Sequence, residues 1–404
     1  MKNPHEYLEC NKCFWVFVAL LTFLSSCDLN SPTKLDGPLP MSGVPVSQLA
    51  AFDDAMQQYM TERNKKAGVL GIMKDGVVVF ERGYGWKDKE LKTPVPHDAM
   101  LRIGSIVKSI TAAAVTKLIR EGRLNATDKV FCLPGTTGTC WLNIEPFGTP
   151  DPRLKDITIQ NLLEFKVGWD ETIFNVLIFK SLHIANTLGI PSPPSKRDIV
   201  RFMMGQPLVR APGTFTEYSN VAYVLLGVII EQVTGQTYIA YVQDHIFNPL
   251  GVPDTEIEIG RSLPEFRNPR EPWYESRLAA TSVFNPPLTV PMPDGGAHLE
   301  VNDAAGGVIA SSRAMLRFMQ AYWADGTPRS GQASNHPTLS VGALSGTFAV
   351  AHWRPDGVNF VALFNKRDPH DEHNLLTSTG DDGAIISMLD RVADGIAAWP
   401  TKEP

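Results

Sequence analysis

The sequence predicts an α+β fold, in which one antiparallel sheet flanked by helices is interrupted by a mainly helical insert. Three observations predict it. Two extended runs joined by Asp75-Gly76 stand near the start, and three more stand near the end. Between them, residues 123–300 carry prolines and helical stretches but few clear strands. Strands from both ends of a chain can join one sheet when the middle is inserted.

Composition agrees with a globular chain. Of the 404 residues, 43% are hydrophobic and 20% charged, enough apolar material for a large core. The net charge of −6 offers no excess of cations to hold phosphates, so nucleic acid is not an expected partner. No solenoid or propeller period repeats.

The first segment does not belong to the fold. Phe14 to Leu24 is an uncharged apolar run preceded by Lys12. It falls short of the ~20 residues of a membrane span and suits the apolar region of a signal peptide. It ends in Leu24-Ser25-Ser26-Cys27, which resembles the bacterial lipobox. That resemblance implies a signal peptide over 1–27, a lipid on Cys27, and an exported protein anchored to a bacterial membrane, periplasmic or at the cell surface. Glu6 and Glu9 dilute the positive charge usual before such a run, and an ordinary signal peptide is the alternative. Residues 28–45, rich in Ser, Pro and Gly, then read as a flexible tether.

Cys10 and Cys13 fall in the removed segment, so their C-x-x-C spacing implies no metal or redox site. Cys132 and Cys140 flank the turn-rich LPGTTGT. An oxidising compartment favours a disulfide between them, and two unrelated buried thiols are the alternative.

Along the folded part, Ser47 can cap a helix with an apolar stripe of Leu49, Phe52, Met56, Tyr59 and Met60. GVLGIMK and VVVFERGYG follow as a hairpin. A helix runs from about Ser105 to Glu121, with Gly122 placed to end it. Val221 to Val233 reads as an apolar helix closed by Gly235, and Thr237 to Phe247 as another. Ser311 or Ser312 caps a helix to about Trp323. TLSVGAL, TFAVAHW and VNFVALF read as strands, with Pro355-Asp356-Gly357 turning between the last two. A helix over about Ala384 to Ala398 closes the chain. The sheet domain is thus expected over 46–122 plus 301–398, and the inserted domain over 123–300.

Three short motifs carry chemistry. Ser105-Ile106-Val107-Lys108 puts an amine three residues from a hydroxyl, on one helix face. A Ser hydroxyl needs a base to become a nucleophile, and a buried Lys can lose its charge and serve as one. Ser105 in the first turn also meets free N–H groups. Gly104 leaves room for a ligand. Ser109 is a nearby rival without a Lys at that spacing. The second motif is Tyr218-Ser219-Asn220, before an apolar helix. A Tyr phenol near a Lys can relay a proton, and Asn220 can hold a substrate carbonyl. A helix cap by Ser219 or Asn220 is the plainer reading. The third is Ser340-Val341-Gly342-Ala343, where Gly342 lets a substrate backbone lie close and the N–H groups of Ala343 and Ser105 can form an oxyanion hole.

With these segments in order, the sequence resembles the serine β-lactamase and penicillin-binding-protein superfamily, whose signature includes S-x-x-K. Y-x-N resembles the class C β-lactamases and their esterase, carboxypeptidase and D-aminopeptidase relatives. RIGSIVKSITAAAVTKLIREGRL, PGTFTEYSNVAYVLLGVIIEQVTG, YVQDHIFNPLGV and DAAGGVIASSRAMLRFM carry the resemblance, over about residues 45–398. It implies the β-lactamase/transpeptidase-like fold and a serine hydrolase working through an acyl-enzyme. Ser105 would attack, Lys108 take the proton and Tyr218 relay it to the leaving group. No metal or organic cofactor is implied. The partners implied are a small-molecule or peptide-like ester or amide and, through the lipid, a membrane. A monomer is expected.

The sequence departs from the family at Ser340, which stands where the family usually has Lys or His. A cation there helps hold a substrate carboxylate. Such a hydrogen bond contributes ~1.5–3 kcal/mol, roughly ten- to a hundred-fold in binding. Ser340 therefore weighs against β-lactamase and carboxypeptidase activity and leaves a neutral ester or amide open, within an expected hydrolase of esterase, D-amino-acid peptidase or β-lactamase type. A catalytically inactive lipoprotein that binds or senses cell-wall fragments is the alternative. His336 is near but lacks a Gly at the right spacing. LLEFKVGWD departs too, where the family often has His-Thr-Ser-Gly, and Lys166 in it reads as a solvated charge. His370, Asp371, Glu372 and His373 read as a polar loop, since consecutive residues rarely converge on one ion.

Overall fold

The computed structural model describes residue 35 and residues 37–170, 172–173, 179–329, 336–367 and 381–404. The apolar run, Cys10, Cys13, Cys27 and His370 to His373 lie outside the described residues.

One six-stranded antiparallel sheet organises the chain. Its strands are β1 (Met41–Ser42), β2 (Ala67–Lys74), β3 (Val77–Gly85), then, after two short strands β4 (Leu101–Arg102) and β5 (Ile257–Ile259), a third short strand β6 (Val308–Ala310), and finally β7 (Leu339–Leu344), β8 (Thr347–Trp353) and β9 (Val358–Phe364). The order across the large sheet is β1-β3-β2-β9-β8-β7, and β4-β6-β5 form a small sheet beside it. β2 and β9 are the central pair, with Val361 opposite Gly71. Strands from the two ends of the chain therefore meet at the middle of the sheet.

The β2–β3 turn is two residues long, and Asp75 (φ 49°) and Gly76 (φ 84°) both take the positive φ that a twist-matched hairpin turn requires. Period-two alternation then sorts the faces. On one face, Phe80 and Phe364 meet Phe52 and Tyr59 of helix α1 (Ala50–Glu62), with ring centroids 5.9 and 5.2 Å apart. On the other face, Val69, Met73, Val361 and Leu363 join the large apolar core. That core includes helix α2 (Val107–Arg120) and helix α4 (Asn220–Thr234), which follows helix α3 (Lys196–Met204). Helix α5 (Ser312–Ala321) is capped by Ser311, whose Oγ accepts the Ala314 N–H at 3.1 Å. Helix α6 (Asp381–Asp394) is the last.

Several boundaries differ from the sequence expectation. Ser47 does not cap α1, because it lies inside a preceding 3-10 turn, Ser47–Leu49, and makes no cap bond. Met41 and Ser42, expected in the tether, pair with Tyr84 and Gly83 at the sheet edge. Gln57 holds the backbone of Leu39 through two bonds of 2.8 Å. A two-residue strand has no alternation to read. α5 stops at Ala321, because Tyr322 turns extended (φ −134°). α6 ends at Asp394, before Gly395, rather than near Ala398.

Between β4 and β6 the described residues are mostly helices and loops with three-residue strands, which are too short to show periodicity. Lys129–Phe131 and Cys140–Leu142 pair in parallel. Cys132 and Cys140 form a disulfide with Cα atoms 5.2 Å apart.

Candidate active site

The site begins with two glycines. Gly104 has φ +52°, and a Cβ on it would lie 2.9 Å from the Ala343 amide nitrogen. A Cβ on Gly342 would run into the Ile103 carbonyl oxygen and lie 3.1 Å from the Ser105 nitrogen. The 3-10 turn Gly104–Ile106 therefore docks backbone to backbone on β7, which brings the amides of Ser105 and Ala343 together. The sequence reading gave these glycines to a ligand. In the structure, the direction a side chain would take at each is occupied by protein backbone.

Ser105 stands at the entry to α2, and Lys108 lies one turn on, with its Nζ 3.1 Å from Ser105 Oγ. Lys108 Nζ also donates to Asn220 Oδ1 at 2.7 Å and to the Ala305 carbonyl at 2.6 Å. Burial disfavours its charged form and lowers its pKa from the usual 10.5 to about 7. At pH 7 that raises the neutral fraction roughly a thousandfold over an exposed lysine. A neutral amine has two N–H groups and one lone pair. With Asn220 and Ala305 taking the N–H groups, the lone pair is left for the Ser105 hydroxyl.

Tyr218 closes the cluster. Its hydroxyl is 2.6 Å from Ser105 Oγ and 3.4 Å from Asn220 Oδ1. Its ring centroid is 4.9 Å from Lys108 Nζ. At 40% exposure it borders solvent, where a leaving group can reach it. Asn220 is the first residue of α4, and Ser219 caps that helix through Ala222 N–H at 3.1 Å. The capping reading and the functional reading of this motif thus fall on adjacent residues. α4 ends at Gly235, with φ +72°.

Phe165, unassigned from sequence, backs the tyrosine. Its ring lies 5.2 Å from Tyr218 and 5.1 Å from Tyr223, and its carbonyl accepts the Glu217 N–H at 2.9 Å. It holds a φ of +57°, uncommon for a bulky residue and consistent with a constrained site. Lys166 pairs with exposed Glu164 at 2.7 Å, as a solvated charge should.

Ser340 lines the cleft on β7, and its Oγ accepts from Ser109 Oγ at 3.4 Å. Ser109, the rival nucleophile, is thus turned toward Ser340. His336 is engaged elsewhere: its Nδ1 is 2.8 Å from Asp325 Oδ2 and its ring stacks on Trp323. Ser105 sits between two cavities. The larger, about 860 Å³, also touches Lys108, Ser340 and Asp325. The smaller, about 230 Å³, touches Asn220, Gly306, Ala343 and Arg102.

Ala305 and Phe165 were not legible in the sequence as site residues. Ala305 acts through its carbonyl, which any residue type supplies, although DAAGG was noted as a segment. Phe165 sits where the family pattern breaks, and that break was the available signal. Among the described residues, no group of three or more His, Cys, Asp or Glu could hold a metal ion. Also among them, no helix is long and apolar enough to cross a membrane.

Residues 52–384 match the family described as Beta-lactamase. The chain is 33% identical over 198 residues to Protein flp of Staphylococcus aureus (strain MW2), a match covering 46% of this chain and 33% of that one. It is 30% identical over 223 residues to Esterase EstB of Burkholderia gladioli, covering 52% of this chain and 51% of that one. The chain thus spans about a third of the length of the first relative and about half of the second. The D-amino acid amidase from Ochrobactrum anthropi SV3 superposes with a TM-score of 0.59 at 19% identity, covering 87% of this chain and 99% of that one. The octameric penicillin-binding protein homologue from Pyrococcus abyssi does so with a TM-score of 0.57 at 20% identity, covering 87% and 78%. At these identities the two structures establish a shared fold.

Proposed function

The chain belongs to the beta-lactamase family, and from that premise we propose that it is a serine hydrolase that cleaves a neutral ester or amide through an acyl-enzyme on Ser105. The observation that carries this reading is the Lys108 amine, buried, lowered to about 7 and 3.1 Å from Ser105 Oγ. Ser105 Oγ attacks the substrate carbonyl carbon and gives its proton to Lys108 Nζ. The N–H groups of Ser105 and Ala343 hold the oxyanion. Collapse breaks the bond to the leaving group, which takes the proton from Lys108 by way of the Tyr218 hydroxyl. Water then attacks the acyl ester, with the proton path reversed. The two cavities flanking Ser105 offer room for the two sides of the scissile bond.

Ser340 favours a neutral substrate over one with a carboxylate beside the scissile bond. The esterase and D-amino acid amidase among the similar proteins are consistent with ester and amide chemistry. Ser340 also supports a second reading, a binding protein that no longer turns over. Intact mass after incubation with a fluorophosphonate decides between them. One adduct on the wild type, absent from Ser105→Ala and Lys108→Ala, is the expected result. An unlabelled wild type leaves the binding protein.

Export and a lipid on Cys27 belong to the same proposal, supported by the Leu-Ser-Ser-Cys run. Cys27→Ala should release the protein from the membrane fraction. An unchanged distribution refutes the anchor.

A further inference from the structure

Lys108 takes one of its two orienting acceptors from the backbone, and residues 303–305, which supply it, are tied down from outside the site. We propose that the ion pair between buried Asp303 and half-buried Lys196 is a positioning device for the base: it fixes the 303–305 segment so that the Ala305 carbonyl stays on the Lys108 amine. The proposal rests on the reading of Ser105 as nucleophile and Lys108 as base.

A chain of short contacts carries it. Lys196, the first residue of α3, meets Asp303 Oδ2 at 2.7 Å. The other carboxylate oxygen, Asp303 Oδ1, accepts the Ala304 N–H at 2.7 Å. The Ala304 carbonyl accepts from Thr111 Oγ1 on α2 at 2.7 Å, and the next carbonyl, Ala305, accepts from Lys108 at 2.6 Å. One carboxylate thus grips a cation with one oxygen and the backbone with the other, two residues before the carbonyl that orients the base.

The circuit also closes from behind. Lys196 meets Glu231 Oε1 of α4 at 2.5 Å. That same oxygen accepts the Tyr238 N–H at 3.1 Å, and the Tyr238 hydroxyl lies 2.7 Å from Thr111 Oγ1. Gly227 of α4 leaves no slack, since a Cβ there would lie 2.6 Å from Ala304 Cβ. The segment is held between α2 and α4, the helices that carry Lys108 and Asn220. A buried ion pair is weak evidence of stabilisation, because apolar replacements are often as stable. Its place in this circuit gives it a role in geometry.

The charged and titratable groups facing Asp303 are Lys196 on α3, Glu231 on α4 and Tyr238 on the helix Tyr238–Val242. Burial raises the Asp303 carboxyl to about 6, against the pull of Lys196. Below that pH it takes up a proton and the grip on Lys196 weakens.

The test measures the rate of fluorophosphonate labelling of Ser105 in the full chain across pH, for the wild type, Asp303→Asn, Lys196→Met, Lys196→Arg and the Asn/Met double variant. Displacing the Lys108 acceptor should slow labelling roughly ten- to a hundred-fold in Asp303→Asn and in Lys196→Met. Lys196→Arg, which keeps the charge, should retain most of the rate. The double variant should be no slower than the slower single one, since the pair acts as a unit. The wild-type rate should fall with a second proton below pH about 6, and that of Asp303→Asn with one only. Wild-type rates and profiles in both single variants overturn the proposal. So does a multiplicative loss in the double variant, or a loss in Lys196→Arg as large as in Lys196→Met. Circular dichroism checks folding, and if Asp303→Asn does not fold, Lys196→Met against Lys196→Arg decides. A wild type that is not labelled at all overturns the Ser105–Lys108 reading instead.

Discussion

A side chain on Gly342 would collide with the carbonyl oxygen of Ile103. This contact, between strand β7 and the turn before Ser105, sets the spacing of the Ser105 and Ala343 amides, the two donors proposed to hold the oxyanion. Gly342→Ala must push β7 off the nucleophile turn. We expect kcat to fall roughly 10²–10³-fold, the cost of losing one such donor. The far-UV spectrum should stay native, since the other strands of the sheet are untouched. Ester hydrolysis at wild-type rate would show that the Ala343 amide takes no part.

The pH profile should report Lys108. Burial lowers its pKa to about 7, so the base form dominates above that pH and the ammonium below it. Activity should therefore rise with pH through about 7 and approach a tenfold loss per unit below it, until Asp303 also takes up its proton near 6. A profile flat from acid to alkaline pH would remove Lys108 from the role of base.

Phe165→Ala removes the ring behind Tyr218 while leaving the Ser105–Lys108 contact in place. We expect kcat to drop roughly tenfold, KM to change little, and the midpoint near pH 7 to stay. A shifted midpoint instead would mean that Phe165 acts on Lys108 through Tyr223, whose ring it also touches.

Ser340→Lys restores a cation on β7, beside the larger cavity. Substrates carrying a carboxylate should then bind roughly ten- to a hundred-fold tighter, by ~1.5–3 kcal/mol, while neutral esters gain nothing. Steady-state kinetics on a matched ester pair, acid and amide, checks it. Equal gains for both would show that charge at this position does not select the substrate.

The Cys132–Cys140 disulfide closes a short loop, with a sequence separation of 8. The chain-entropy model gives such a crosslink about 2–3 kcal/mol at most. Cys132→Ser/Cys140→Ser should lower the unfolding midpoint, and reductant should destabilise the wild type but not the double variant. Neither cysteine lines the cavities beside Ser105, and activity in the folded double variant should be intact.

The elements that carried strong periodicity were legible in the sequence. β2 and β3 with the Asp75-Gly76 turn, α2 and its Gly122 stop, α4 and its Gly235 stop, and β7 to β9 all follow from pattern and turn chemistry. What escaped has a physical reason in each case. β1 is a two-residue edge strand, defined by hydrogen bonds to Gly83 and Tyr84 that no local pattern encodes. In the site, Ser105, Lys108, Tyr218 and Asn220 could be named because their side chains do distinctive chemistry. Ala305 could not, because it offers only a backbone carbonyl. Asp303 and Lys196 are 107 residues apart, and only the folded chain makes them a pair. Gly104 and Gly342 stand out in the sequence, but the backbone-to-backbone docking between them is visible only in the folded chain.

The β2–β9 pairing at the centre of the sheet also orders events during synthesis. Ser105 is made before the strand that bears Ala343, and β9 must join β2 before the sheet that seats β7 is complete. Until then the amides of Ser105 and Ala343 are not assembled, and the proposed nucleophile has no oxyanion hole to work against. On the proposed reading, the growing chain is therefore unarmed until β7 is made, and hydrolysis begins only once β7 to β9 have found the β2–β3 hairpin.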